Sequence, residues 1–465
     1  MSASPKRAGL AAVWGLGRFG GGEAAAYELL RRGHRLRIID RRSFEDLAPG
    51  LVRLAASIGS SDPRDIDVQG EHEGALADVD LLCVNPGVRP EHPLLAAAKA
   101  RGIACTQELD LFLEAYPGRV TAVTGTNGKS STTSMLARAL EAATRRPVLA
   151  GGNIGGSLLE LRRAWRADQD CVLEISSFQA SRLNLERRPL SGLVLPYLGS
   201  DHLDWHGSRA AYHAAKLRLL EGLREGGPAL LGGRGPREDG ACDPRLHLLT
   251  ATDEPTITTE GLVYGGRLVL ARCDLSVAGS FQLENARLAL ALVARYGLDV
   301  ERAARGLRGY TGLPHRLVEV GVRNGIRFFD NGVSTTVDST LSALRSLVPE
   351  GRVHWVGGGR SKGEGLEAHC DAARLATSAQ LFGEVGPDLA RAMAAAGLRA
   401  RAHAKLRDAL EAALATSRHG DVILFSPAFS SFDQYPNFEV RAQSAVAWWH
   451  GLAGRVDEAA SDAAS

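Results

Sequence analysis

Paired cysteines are missing from this sequence. The six present, Cys83, Cys105, Cys171, Cys242, Cys273 and Cys370, stand singly, and no two have metal-ligand spacing. That argues against a disulfide framework and points to a reducing cytoplasm. An excess of one charge is missing too. Lys and Arg number 55 and Asp and Glu 53, a net +2, so nothing builds a nucleic-acid surface. No stretch approaches the length of a membrane span. Ala8–Leu16 is too short for a signal peptide and runs straight into a glycine loop. Repeats at solenoid periods are also lacking. What remains is a soluble globular chain of 465 residues, 45% hydrophobic and 23% charged, long enough for about three domains.

The most informative stretch is Val120–Met135. Val120 to Val123 reads as a buried strand, Gly125-Thr126-Asn127-Gly128-Lys129-Ser130-Ser131 as a glycine loop, and Met135, Leu136, Ala139 and Leu140 as one face of a helix. Strand, glycine loop and helix form a phosphate cradle, in which backbone N–H groups and the helix N-terminus face the anion. Lys129 would reach the β- and γ-phosphates and the Ser130 hydroxyl would sit on Mg²⁺. The full pattern has a glycine where Val123 stands, so this is a variant.

Upstream, a short apolar strand over Gly9–Trp14 leads into Gly15-Leu16-Gly17-Arg18-Phe19-Gly20, a literal G-x-G-x-x-G. Asp40 ends the next strand, where a dinucleotide fold places its ribose acid. Taken alone the pattern fits NAD or a turn that only packs helix on strand. Asn85-Pro86-Gly87-Val88 follows another strand, at the end where open α/β sheets bind ligands.

Downstream of the cradle, Gly151-Gly152-Asn153-Ile154-Gly155 reads as a loop. The strand Cys171–Ile175 carries Glu174, a strand-end carboxylate suited to Mg²⁺ beside a phosphate loop. A strand over Leu193–Leu198 precedes Asp201-His202-Leu203-Asp204-Trp205-His206-Gly207, where His202 is a candidate ligand or acid/base group. Helix Tyr212–Leu220 carries Lys216, which spacing alone reads as surface charge, and helix Phe281–Arg295 carries Asn285. Beyond Tyr310–Arg316, strands alternate with alanine-rich helices, which predicts a further mostly parallel sheet.

These residues resemble the Mur ligases of peptidoglycan synthesis, from about Gly9 to Arg441. Thr124-Gly125-Thr126-Asn127-Gly128-Lys129-Ser130 is similar to the family's ATP loop. Gly152-Asn153-Ile154-Gly155, Glu174-Ile175-Ser176-Ser177-Phe178-Gln179 and His202-Leu203-Asp204 follow in family order. Gly312-Leu313-Pro314-His315-Arg316, Ser431-Phe432-Asp433-Gln434 and Asn437-Phe438-Glu439 favour the glutamate-adding branch.

The resemblance implies an α/β chain of three domains: a Rossmann-like UDP-sugar domain over 1–112, a central ATP-binding sheet over 113–311 and a Rossmann-like amino-acid domain over 312–455, with a disordered tail over 456–465. It implies ATP and about two Mg²⁺ ions, held through Ser130, Glu174, His202 and a carbamylated Lys216, with Lys129 as the catalytic cation. Asn285, Arg316 and Asn331 would complete the ATP site, and Gly15, Leu16, Gly17, Asp40, Arg42, Asn85, Gly87 and Asn153 would bind the UDP-sugar. Thr335, Lys362, Ser431, Phe432 and Phe438 would hold the amino acid.

The implied reaction activates the alanyl carboxylate of UDP-N-acetylmuramoyl-L-alanine as an acyl phosphate, which the glutamate amine then attacks. The expected protein is a cytoplasmic monomer. The chain departs from the family where Asn331 and Val333 replace an aspartate and a lysine, and Arg360 is a candidate replacement cation. Alternatives are the same reaction with L-glutamate, a folylpolyglutamate-synthase-like ligase, which would begin at the ATP loop, and an NAD-binding regulator with a vestigial ATP site.

Overall fold

The computed structural model describes residues 9–16, 20–186, 189–232, 243–277, 279–361 and 365–462. It packs as two compact units, Met1–Asp253 with Leu288–Gly306, and Glu254–Arg287 with Leu307–Ser465.

The first unit holds two parallel sheets. One runs in the order Asp67–Gln69, Arg35–Ile39, Leu10–Trp14, Val79–Val84, Ala104–Thr106. Its middle strand Leu10–Trp14 is buried throughout, as expected for a parallel strand covered on both faces. The order reverses between Leu10–Trp14 and Val79–Val84. The loops at Gly15 and Asn85 therefore open at the switch point, where such sheets hold ligands. The other sheet runs Leu246–Leu248, Ala229–Leu231, Gly192–Leu195, Val120–Val123, Asp170–Glu174, Val148–Gly152. Val120–Val123 lies between Gly192–Leu195 and Asp170–Glu174, all parallel, so the loops after these strands open on one edge.

The two sheets share one apolar core. Phe112 stacks on Tyr116 at 5.1 Å and Trp165 meets both edge-on at 5.4 Å. Such ring pairs add about 0.5–1.5 kcal/mol beyond area burial. Polar ties reinforce the seam. Asp110 Oδ2 accepts the Gln107 N–H at 3.1 Å, capping helix Glu108–Ala115, and its Oδ1 accepts the Asn184 N–H at 2.7 Å. Gln107 Nε2 donates to the Gln179 carbonyl at 3.0 Å.

In the second unit the sheet order is Val318–Arg323, Ile326–Asp330, Val422–Ala428, Val353–Gly358, Ser378–Phe382, Ala400–His403. Only Val318–Arg323 pairs antiparallel, so the sheet is mostly parallel as the sequence predicts. A small antiparallel sheet, Thr256–Ile257, Gly261–Tyr264 and Arg267–Ala271, was not foreseen.

Several boundaries differ from the sequence expectation; the helix expected over Tyr212–Leu220, for one, runs Arg209–Leu217. Gly192–Leu195 stops before Pro196, which has no N–H to extend the ladder. Gly151 and Gly152, expected in a loop, close the strand Val148–Gly152. The last helix, Phe438–Asp462, enters the 456–465 tail expected to be disordered, through the helix formers Glu458, Ala459 and Ala460.

Candidate active site

The glycine loop is shaped by backbone that only glycine adopts easily. Gly125 has φ +157° and Gly128 +83°, and a Cβ on Gly125 would lie 2.9 Å from the Tyr197 carbonyl. Thr126 pins the loop to the neighbouring one. Its N–H donates to the Tyr197 carbonyl at 2.7 Å, and its Oγ1 accepts the Gly199 N–H at 2.8 Å and the Tyr212 hydroxyl at 3.2 Å. Helix Lys129–Thr144 starts directly after Gly128, with Ser130 and Ser131 buried in its first turn. Lys129 Nζ donates to the carbonyls of Gly125 and Thr126 at 3.0 and 2.9 Å, which folds the cation back over the loop. Asn127 lies within this loop.

Glu174 ends the adjacent strand, 1% exposed. Its Oε1 accepts from Asn153 Nδ2 at 2.8 Å, and Oε2 is buried without a hydrogen-bond partner. Asn153 also donates its N–H to the Glu174 carbonyl at 2.9 Å. The close approach requires glycine, since a Cβ on Gly152 would sit 2.3 Å from that carbonyl. A buried carboxylate oxygen with no donor is costly unless a cation meets it, so Glu174 fits a divalent-ion role.

Lys216 is also 1% exposed, its Nζ 4.6 Å from the Tyr212 ring centre. Burial pushes its ammonium well below the ordinary lysine range, and the Lys129 charge pushes the same way, against Asp201 and Glu174. The fold thus gathers Lys129, Glu174, Asp201 and Lys216 into one electrostatic neighbourhood, and the surface reading of Lys216 from spacing alone is corrected. His202, at φ +52°, faces Asp201 Oδ2 through Nε2 at 3.3 Å and packs on Phe178 at 4.7 Å. His206 meets Ser177 Oγ at 3.0 Å and lies parallel to Phe178. Among the described residues no three His, Cys, Asp or Glu side chains form a ready metal cluster. Sequence reasoning passed over Asp201, Phe178, His206 and Tyr212. Tyr212 stands four residues before Lys216, one helical turn, which was the available signal.

At the first sheet's switch point, Gly15 has φ +83° and lies against the Asn85 amide. Asn85 Oδ1 accepts the Gly87 N–H at 2.9 Å. Asp40 Oδ2 accepts the Leu16 N–H at 3.1 Å and Arg42 Nη2 at 2.8 Å. Burial would raise the Asp40 carboxyl, but the Arg42 guanidinium and these N–H groups hold it below the usual carboxylate range. A cavity of about 570 Å³ opens beside them, lined by Asp40, Arg42, Phe44, Val68 and Gln69 among others. Gly17 lies outside the described residues.

In the second unit, Asn331 Nδ2 donates to Ser426 Oγ at 3.0 Å. His315, at φ +61°, pairs through Nδ1 with Asp330 Oδ2 at 2.5 Å, and its carbonyl accepts the Val333 N–H at 3.2 Å. Asn285 donates to Gln282 Oε1 at 3.2 Å, and Arg316 follows His315 in the same turn. Thr335 precedes helix Val337–Leu347, Ser431 is buried, Phe432 is 58% exposed and Phe438 opens the last helix. Lys362 lies outside the described residues. Arg360 is paired with Glu384 at 2.8 Å, both half-exposed. Sequence reasoning also missed Arg441, fully buried, which donates to the Ser430 and Phe429 carbonyls at 3.1 and 3.0 Å.

Parallel sheets with a lysine-bearing glycine loop beside a buried carboxylate define a phosphate-binding enzyme of the α/β class. Family models agree: residues 123–293 match the Mur ligase middle domain and residues 315–429 the Mur ligase glutamate ligase domain. The UDP-N-acetylmuramoylalanine–D-glutamate ligase of Rubrobacter xylanophilus is 34% identical over 93% of this chain and 96% of its own. The chain belongs to the Mur ligase family. Solved structures share the fold. A UDP-N-acetylmuramate-alanine ligase of Thermotoga maritima superposes with TM-score 0.59 at 18% identity, over 96% of this chain and 100% of that one. A MurF ligase of the same organism, in complex with ADP, superposes with TM-score 0.54 at 16% identity, over 94% and 93%.

Proposed function

We propose that the protein is an ATP-dependent ligase that joins D-glutamate to UDP-N-acetylmuramoyl-L-alanine. The observation that carries this is the Lys129 loop beside buried Glu174 and Lys216, in a chain 34% identical to a relative bearing that reaction's name. In the proposed reaction the alanyl carboxylate attacks the ATP γ-phosphate, giving an acyl phosphate and ADP. The glutamate amine attacks the acyl carbon, and the tetrahedral adduct expels phosphate.

Such chemistry runs on positioning and charge neutralisation. Gly125–Ser131 would cradle the phosphates, with Lys129 turning from its loop carbonyls onto the transferred group. Ser130, Glu174, His202 and a carbamylated Lys216 would hold Mg²⁺, which when bound offsets phosphate charge. Lys216 suits carbamylation because burial favours its neutral amine, the form that adds CO₂. Asn153 would hold Glu174 in place and reach the sugar side.

On this reading residues 1–112 take the UDP-sugar, 113–311 take ATP, and 312–455 take the amino acid. Asp40 and Arg42 would lie at the uracil end, Gly15, Leu16, Gly17, Asn85 and Gly87 along the nucleotide. Asn285, Arg316 and Asn331 would complete the ATP site, and Thr335, Lys362, Ser431, Phe432 and Phe438 the glutamate site. No helix among the described residues is long and apolar enough to cross a membrane. A cytoplasmic monomer is the proposed working form. The test is phosphate release with ATP, Mg²⁺, UDP-N-acetylmuramoyl-L-alanine and single amino acids. Release with D-glutamate is expected. Release that does not depend on the UDP-sugar would overturn the reading.

A further inference from the structure

Arg182 has no part in the proposed chemistry, yet its placement is unusual. It follows the short helix Ser177–Ala180, in the segment that begins with Glu174. Its guanidinium reaches the first sheet's ligand loop, nearly a hundred residues away in the chain. Nη1 donates to the Asn85 carbonyl at 3.3 Å and Nη2 to the Val88 carbonyl. Among the described residues no carboxylate lies within ion-pairing distance of it, and burial pulls its proton affinity down against the charges of Cys105 and Glu91. A half-buried cation whose bonds go only to two carbonyls of one turn is placed to hold that turn.

The turn itself is tightly specified. The Asn85 carbonyl also accepts the Val88 N–H at 3.0 Å, and Asn85 Oδ1 accepts the Gly87 N–H at 2.9 Å. The Asn85 amide lies against Gly15, where a Cβ would stand 3.6 Å from Nδ2. Fixing the two carbonyls therefore fixes the face that Asn85 and Gly87 present to the first glycine loop. A second contact joins the same stretch to the middle sheet's loops: the Arg89 guanidinium stands 5.7 Å from the Trp205 ring centre.

We propose that Arg182 is a positioning residue for the nucleotide-sugar substrate: it latches the Asn85–Val88 turn to the segment that carries Glu174. The proposal rests on the reading that this turn lines the UDP-sugar. The latch makes two demands. Losing it loosens the turn and removes a nearby positive charge, both of which weaken an anionic ligand there. ATP, held at Gly125–Ser131, is untouched.

The test compares the full-length parent with Arg182→Ala, Arg182→Lys and Asn85→Ala. Thermal shifts induced by UDP-N-acetylmuramoyl-L-alanine and by ADP are measured beside steady-state kinetics. For Arg182→Ala, KM for the UDP-sugar should rise about ten-fold, the loss of one charge-assisted hydrogen bond. KM for ATP and kcat should hold, and the ADP-induced shift should equal the parent's while the UDP-sugar shift shrinks. Arg182→Lys keeps the charge and one bond, and should fall between; it decides the matter if Arg182→Ala does not fold. An unchanged UDP-sugar KM and shift in the arginine variants, with a loss in Asn85→Ala, would overturn the latch alone. Unchanged values in all three variants would overturn both the latch and the reading of the turn.

Discussion

Asn153 holds one oxygen of Glu174 at 2.8 Å and leaves the other buried with no partner. A site kept for stability would satisfy both oxygens, so the arrangement implies that function is served at some cost to folding. Glu174→Gln keeps the volume and removes the charge. Activity should fall by about 100-fold or more, while the melting temperature stays level or rises. A variant that is less stable and still active would show that Glu174 is a structural residue.

Lys129 lies where phosphate charge develops. Lys129→Ala should lower kcat by about 100-fold or more with the far-ultraviolet circular dichroism unchanged. Its own loop contacts are to the carbonyls of Gly125 and Thr126. ADP binding, measured by calorimetry, should weaken as well. Turnover within about three-fold of the parent would remove the cradle assignment.

Lys216 gives a test that depends on carbon dioxide. Its depressed proton affinity means that the neutral amine persists to lower pH than in an ordinary lysine. Bicarbonate-depleted parent should lose activity and regain it on adding bicarbonate. Lys216→Ala should be nearly inactive, with partial rescue by acetate as a replacement carboxylate. Full activity in Lys216→Ala would exclude the metal role.

The His315–Asp330 pair gives a pH dependence of fixed sign. The hydrogen bond to Asp330 raises the His315 proton affinity above its ordinary value near 6.5, against burial. The folded state therefore holds the proton more tightly than the unfolded one. Its stabilising contribution is complete below about 6.5 and is lost as pH rises through the folded value. His315→Asn keeps a residue that tolerates the left-handed backbone. The parent should melt about 2 °C above this variant at pH 6, and the gap should close at alkaline pH. A gap that widens with pH would refute the assignment.

The strand and glycine-loop elements are legible in the sequence because each is local. Val120–Val123 is a buried run with β-branched residues at three of its four positions, and Gly125 and Gly128 mark the turn. Glu174 is legible as a strand-end acid. Most partners of Lys216 are not: Lys129, Glu174 and Asp201 belong to separate elements and come near it only when these pack, whereas Tyr212 sits one turn back on its own helix. The Arg182 contact to Asn85 spans two sheets' loops, and no local pattern announces it. The antiparallel strands between Thr256 and Ala271 escape for another reason: they are two to five residues long, too short for a periodic signal.

A dicarboxylate needs donors or cations at both ends, and the family resemblance sets Val333 at a position expected to hold a lysine. Arg360 is a candidate replacement, and its guanidinium pairs with Glu384 at 2.8 Å, both side chains half-exposed. Exposed pairs of this kind are worth little and are screened by salt, so Arg360 gives the site no strong fixed charge. Arg360→Ala should then change KM for glutamate by less than about three-fold. On the proposed reading the selective contacts would fall to Thr335, to Ser431, which is buried, and to Lys362, which lies outside the described residues. The Ser431–Glu439 segment keeps the glutamate-branch pattern, so D-glutamate should give the higher kcat/KM in parallel assays of the two enantiomers. A higher kcat/KM for L-glutamate, together with a return to D-glutamate in Val333→Lys, would show instead that the lost lysine sets the stereochemical choice.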